Sequence, residues 1–137
     1  MSTFESSIRQ IPHSQQSVYA MLSDLSNIER VRSRLPEDKL KDFSFDSDSL
    51  SVNVPPVGSI RLRIVDRDAP KCIKFETEQS PVPFNFWIQV LPVTEMSCKM
   101  KLTIKAELNP FIKGMVKKPL QEGIEKIADA LQMINYD

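Results

Sequence analysis

The fold follows from residues 109–134, which read NPFIKGMVKKPLQEGIEKIADALQMI. A rotation of about 100° per residue places seven apolar side chains on one broad stripe of a helix: Ile112, Val116, Leu120, Ile124, Ile127, Leu131 and Ile134. Glu122, Glu125 and Asp129 lie opposite this stripe. Because almost no other helix is predicted in the chain, we expect the stripe to pack against a sheet.

Pro119 interrupts this helix. It removes an amide donor and crowds the preceding turn, so we expect the helix to kink or to begin again near residues 115–119. Two interpretations stay open. The kink fits the helix to a curved sheet, or Gly114 and Pro119 together loosen its first half into a gate.

The residues before the helix alternate between apolar and polar side chains, and a period of two is typical of β-strands with one wet face. In the clearest row, 96–108, every second residue from Met96 to Leu108 is apolar. Shorter rows precede it at 3–11, 43–45, 50–54, 60–64, 73–77 and 84–90. We therefore predict about seven antiparallel strands in one curved sheet.

Two short helices are predicted after the first strand. Ser14 is a suitable N-cap for the first helix, and Ser26 or Asn27 caps the second, which Pro36 ends. The fold class is therefore α+β, a curved antiparallel sheet with two short helices after strand one and a long carboxy-terminal helix packed across the sheet.

Length and composition restrict the functional classes. The 137 residues suit a single domain spanning 1–137. The 18 basic and 18 acidic side chains balance, so we expect no nucleic-acid partner. No apolar run approaches the roughly 18 residues needed to span a bilayer, so we expect no stable membrane insertion and a cytoplasmic protein.

Catalytic and cofactor chemistry find little support. His13 is the only imidazole, and it lies in a strand-to-helix turn where a structural or solvated role is the simpler interpretation. One His and two Cys cannot readily assemble a zinc site, and three glycines cannot supply a phosphate-binding loop. We predict no catalytic residue, no metal, no cofactor and no disulfide, since Cys72 and Cys98 should point apart.

The chain resembles the START-like helix-grip superfamily (SRPBCC), which includes the birch-pollen allergen, polyketide cyclases and lipid-transfer domains. The resemblance covers the whole chain and rests on four phrases: FESSI at 4–8, IPHS at 11–14 with VYAMLSD at 18–24, GSI at 58–60 and DAPK at 68–71. It implies a cavity between the sheet and the last helix. Members with this outline include binders, transporters, cyclases and chaperone activators, so the fold alone does not select a function.

Fifteen residues are candidates for lining such a cavity. The apolar ones are Ile8, Phe43, Val52, Ile64, Phe75, Phe86, Ile88, Met100, Val116, Leu120 and Ile127. The polar ones are Ser6, Gln10, Tyr19 and Thr77. The same apolar residues would equally form a solid core.

Three functions remain. The first is binding or transport of a small hydrophobic or amphipathic ligand, which the missing catalytic constellation favours. The second is a cyclase or aromatase, with no metal or nucleotide, in which Tyr19, Gln10 or Thr77 assists proton transfer. The third is an interaction module resembling chaperone activators, which would dock a partner through the wet face of the sheet and Trp87. Trp87 falls on the wet face of its strand, and three interpretations stay open: it packs over neighbouring aliphatic stems, a bulge shifts its phase, or it forms a subunit contact such as a homodimer.

Overall fold

The computed structural model describes residues 2–31, 43–54, 58–80, 82–134 and 136. The described residues form eight strands and three helices, in this order: β1 (Ser2–Glu5), β2 (Arg9–Ile11), α1 (Gln15–Leu22), α2 (Ser26–Val31), β3 (Phe43–Phe45), β4 (Ser49–Val54), β5 (Gly58–Asp68), β6 (Cys72–Gln79), β7 (Asn85–Thr94), β8 (Ser97–Ala106) and α3 (Pro110–Gln132). The predicted α+β architecture is confirmed. The predicted end of the second helix, at Pro36, lies outside the described residues.

All eight strands belong to one antiparallel sheet, ordered β1-β8-β7-β6-β5-β4-β3, with β2 also paired to β8. One face carries the apolar side chains predicted from the alternation, and in β8 Cys98, Met100, Leu102 and Ile104 are all buried. The helix α3 crosses this face and contacts β1, β2, β8 and β4. The other face carries the charged side chains. No helix among the described residues is long and apolar enough to cross a membrane.

The helices begin where the sequence places their caps. In α1 the Ser14 hydroxyl accepts a hydrogen bond from the Ser17 amide at 3.1 Å, as predicted. In α3 the Asn109 side chain accepts from the Ile112 amide at 2.8 Å, and Pro110 occupies the first turn, where its missing N–H costs nothing. Pro119 lies inside α3 without ending it, so the helix does not begin again there.

The first predicted strand is divided by a β-bulge. Up to Glu5, which faces Thr103, β1 pairs regularly with β8. In β2, Arg9 faces Met100, so one additional residue has entered between the two segments. An additional residue reverses which side chains face the core. Ile8 and Gln10 therefore turn outward, and Arg9 and Ile11 turn inward.

Candidate functional site

The space between the sheet and the middle of α3 is almost full. Its walls are the side chains of Val52, Val54, Ile60, Leu62, Phe84, Ile104, Leu120, Ile124 and Ile127, together with Gly123, and they enclose a void of about 10 Å³. That is room for about one water molecule. Among the described residues that line this space, the side chains leave little of the cavity that the family resemblance implies.

Most of the predicted lining residues face this interior. Ten are buried: Phe43, Val52, Ile64, Phe75, Phe86, Ile88, Met100, Val116, Leu120 and Ile127. Val52, Leu120 and Ile127 meet at the void itself, and the rings of Phe75 and Phe86 pack with their centroids 5.3 Å apart. Whether these side chains contact a ligand stays a prediction.

Two predicted lining residues do not face the interior. Ile8 is 62% exposed, and Gln10 is also exposed. The prediction assumed unbroken alternation from Thr3 to Ile11, whereas the bulge between Glu5 and Arg9 turns both side chains to the outer face of the sheet. Neither residue can line a cavity beneath α3.

Of the other three polar candidates, Ser6 and Thr77 use their hydroxyls in hydrogen bonds to the backbone, and Tyr19 lies on α1. The buried Ser6 hydroxyl accepts a hydrogen bond from the Leu102 amide at 2.9 Å and so completes the pairing at the bulge. The Thr77 hydroxyl accepts from the Phe84 amide at 3.2 Å. Tyr19 is buried on α1, and this burial raises the pKa of its phenol.

Burial along the apolar stripe of α3 falls towards its amino terminus. The exposed fraction rises from 0% at Ile124 to 2% at Leu120, 8% at Val116 and 37% at Ile112. Phe111 and Met115, in the same turns, are more exposed still. Ile112 and Val116 therefore carry the stripe out of the interior towards the surface, while Phe111 and Met115 lie on the other side of the helix. We call residues 111, 112, 115 and 116 the apolar rim.

Sequence reasoning missed the polar group that holds α3 to the sheet. Arg9 forms ion pairs with Glu125 and Asp129, and its Nη1 also donates to Gln132 at 3.0 Å. The Ser7 amide and hydroxyl both donate to Glu125. Only the bulge brings Arg9 to this side of the strand, and simple alternation gives no sign of a bulge.

These contacts change the acidity of Glu125. Partial burial alone would raise the pKa of its carboxyl, but the hydrogen bonds from Ser7 and Arg9 and the charge of Arg9 outweigh it, so the pKa lies below its ordinary value. The carboxylate is the form that holds α3 in place.

The remaining reactive groups are scattered. The His13 ring lies edge-on to Tyr136 at 6.0 Å, and the buried Tyr136 hydroxyl donates to the Leu131 carbonyl at 2.6 Å, which suits a structural role. Cys72 is half-buried and Cys98 is buried, and both thiols are free. Within the described part of the chain, no three His, Cys, Asp or Glu side chains cluster as metal ligands.

Trp87 lies on the outer face of β7 between two lysines. The Nζ atoms of Lys74 and Lys105 stand 5.6 and 5.8 Å from the centre of its ring. Cation–π contacts of this kind, with lysine stems over the ring, explain an aromatic residue on a wet face without a partner protein. A homodimer through this face stays a prediction.

No family model and no curated protein matches the chain. Solved structures do resemble it. A START superfamily protein from Mycobacterium smegmatis is 14% identical with a TM-score of 0.69, and the match covers 95% of this chain and 94% of that one. Norcoclaurine synthase from Thalictrum flavum, in complex with dopamine and hydroxybenzaldehyde, is 16% identical with a TM-score of 0.69, covering 96% and 84%.

A protein from Thermus thermophilus is 18% identical with a TM-score of 0.64, and the match covers 96% of this chain and 94% of that one. At such identities the likeness concerns the path of the backbone and carries no active-site residue across. The matches cover 95% and 96% of this chain, so they extend over the sheet and α3. The chain therefore has the START-like helix-grip fold.

Proposed function

We propose that this protein binds a small hydrophobic or amphipathic molecule between the sheet and α3. The fold is typically a ligand-binding one, and the structure of norcoclaurine synthase holds two small aromatic molecules. The observation that carries the proposal is the burial gradient along α3. A stripe that merely closed a core would end in polar residues where the helix leaves the sheet, whereas this one continues through Ile112.

The apolar rim marks the side from which a guest enters. Scattered apolar residues are normal on a protein surface, but Ile112 continues the stripe that buries Leu120. Phe111 and Met115 add exposed apolar side chains in the same turns, on the other side of the helix. Covering them with an apolar guest is favourable by about 25 cal/mol for each Å² removed from water.

Among the described residues beneath the middle of α3, the void of about 10 Å³ holds no organic molecule, so a guest at that point must displace side chains. The first turns of α3 are the part that can move at least cost. They bury little apolar surface, and a side chain built on Gly114 would meet nothing within 4 Å. The turns from Leu120 onward are fixed by the packed stripe and by the Arg9 ion pairs.

Catalysis of the cyclase kind has less support. It needs ordered polar groups that converge on a guest. Of the three groups considered, Gln10 lies on the outer face, and the Thr77 hydroxyl is hydrogen-bonded to the backbone of Phe84. Tyr19 remains as a single buried phenol on α1.

Titration with the neutral fluorescent probe N-phenyl-1-naphthylamine tests the proposal. We expect saturable uptake by the protein, and loss of that uptake in Leu120→Trp, because the larger ring occupies the space beneath α3. Met96→Trp is the control, since Met96 is exposed in the β7–β8 turn and adds the same ring elsewhere. Circular dichroism checks that both variants fold.

Two results would contradict the proposal. One is that the unmodified protein takes up no probe, and the other is that folded Leu120→Trp takes it up as well as Met96→Trp does.

A further inference from the structure

A second concave site lies on the outer face of the sheet, opposite α3. It is an open groove of about 340 Å³, lined by residues of β6, β7 and β8, by Lys71 just before β6, and by Ile8 from the bulge. This volume is within the range of small-molecule sites, roughly 300 to 1,000 Å³, and it greatly exceeds the void beneath α3. We call it the outer groove.

The outer groove has apolar walls on a face that is otherwise polar. Ile8 stands on one side because the bulge turns it outward, and Leu91 on β7 stands on the other. Both are large exposed apolar side chains. In the floor, Cys72 faces Gln89 and Gln89 faces Lys101, across three neighbouring strands.

The charge of the outer groove is positive. Lys71, Lys99 and Lys101 line it, and no carboxylate does. Lys101 is neutralised by Glu5, whose carboxylate lies 2.5 Å from its Nζ. Lys71 and Lys99 form no ion pair with any of the described residues. Two positive charges therefore flank the apolar walls without a partner.

We propose that the outer groove binds a small soluble organic anion with a short apolar chain, of the class of a medium-chain carboxylate. The aliphatic part lies between Ile8 and Leu91, and the carboxylate lies near Lys99, which faces Leu91 in the sheet. The Gln89 amide nitrogen donates no hydrogen bond within the described structure and is available to the same carboxylate. This site is independent of the one beneath α3.

Charge argues against a second copy of the chain as the occupant. In a two-fold symmetric contact the same patch meets itself, which would bring the unpaired Lys71 and Lys99 of both copies together. Besides Glu5, which is paired with Lys101, the carboxylates of Asp66 and Asp68 beside Cys72 lie outside the lining of the groove. A small anion meets the lysines without this repulsion.

The two cysteines provide a reporter. Cys72 lines the outer groove and is half-buried, whereas Cys98 is buried on the inner face. Iodoacetamide, a neutral reagent, should therefore alkylate Cys72 first. We expect octanoate to slow this alkylation saturably and to shift the NMR signal of the Ile8 methyl group. Octan-1-ol, which has the same chain without the charge, should bind about tenfold more weakly if two exposed ion pairs are lost.

Lysine variants test which positive charges contact the carboxylate of octanoate. Lys99→Gln should weaken octanoate binding about two- to fivefold, the worth of one exposed ion pair, and Lys71→Gln/Lys99→Gln about tenfold. Lys105→Gln is the matched control, because Lys105 lies on β8 and the same face but outside the outer groove. It should leave octanoate binding unchanged.

Several outcomes would overturn the proposal. They are protection by octan-1-ol as strong as by octanoate, equal weakening in Lys105→Gln, or no protection at all. Alkylation that slows with rising protein concentration in the absence of octanoate would instead identify a second copy as the occupant.

The same assay separates this site from the one beneath α3. Saturating N-phenyl-1-naphthylamine should leave octanoate protection in place, because the two sites lie on opposite faces of the sheet. Failure of either ligand to bind then bears on its own site alone.

Discussion

The two ends of α3 carry the same apolar stripe in different surroundings. From Leu120 onward the stripe packs so closely on the sheet that about 10 Å³ remains beneath it. Over the first turns the same stripe is exposed, and Ile112 has more than a third of its surface in water. Periodicity therefore reports which way a side chain points, while the extent of burial depends on what lies opposite.

The largest expected difference between the two ends is in core packing. Ile124→Ala should lower the free energy of unfolding by about 2–5 kcal/mol, because it removes three buried carbons and leaves a cavity. Ile112→Ala, the same substitution at the exposed end, should cost under about 1 kcal/mol. Urea unfolding of both variants measures this, and equal costs would mean that the two ends are packed alike.

The Arg9 ion pairs should make a smaller contribution at the packed end. Arg9→Gln should lower the free energy of unfolding at neutral pH by about 1–2 kcal/mol, since its charged hydrogen bonds are only partly buried. Arg63→Gln is the control, because Arg63 is exposed on the outer face and forms no ion pair within the described residues. A loss as large in the control would contradict a specific role for Arg9.

The pH dependence of stability gives a second test of this contact. The pKa of Glu125 is lowered in the folded protein, so its stabilising effect is present above the unfolded carboxyl value of about 4.5. It is lost as the pH falls through the lower folded pKa. Unfolding measured from neutral pH into this acid range should show a smaller loss in Arg9→Gln than in the unmodified protein, and identical acid profiles would exclude the contribution.

The smallest effects concern two glycines of α3. Gly114→Ala should raise the free energy of unfolding by about 0.5–1 kcal/mol, because alanine favours a helix and the new methyl meets nothing. At Gly123 the added carbon would lie 3.1 Å from Val54 Cγ1, so we expect Gly123→Ala to gain nothing. Thermal unfolding measures the change in stability of both variants. An equal gain in stability would show that Val54 moves away from the added methyl group of Gly123→Ala at little cost.

The sequence predicts the directions of side chains well where a single pattern runs unbroken. The alternation in β8 identifies Met100 and Leu102 as buried, and Ser14 caps α1 as its position suggests. Simple alternation places Ile8 and Arg9 on the wrong faces, because the bulge arises from pairing with β8 and has no signal in the strand itself. The size of the void could not be predicted, since it depends on how side chains from distant strands fill space together.

One additional residue in the first strand has effects on both sides of the sheet. If residues 5–9 paired with β8 without the bulge, the same sequence would place the guanidinium of Arg9 on the outside and the side chain of Ile8 on the inside. The ion pairs with α3 and one wall of the outer groove would disappear in the same event. We therefore expect the two features to be kept or lost together, according to whether a relative keeps this bulge.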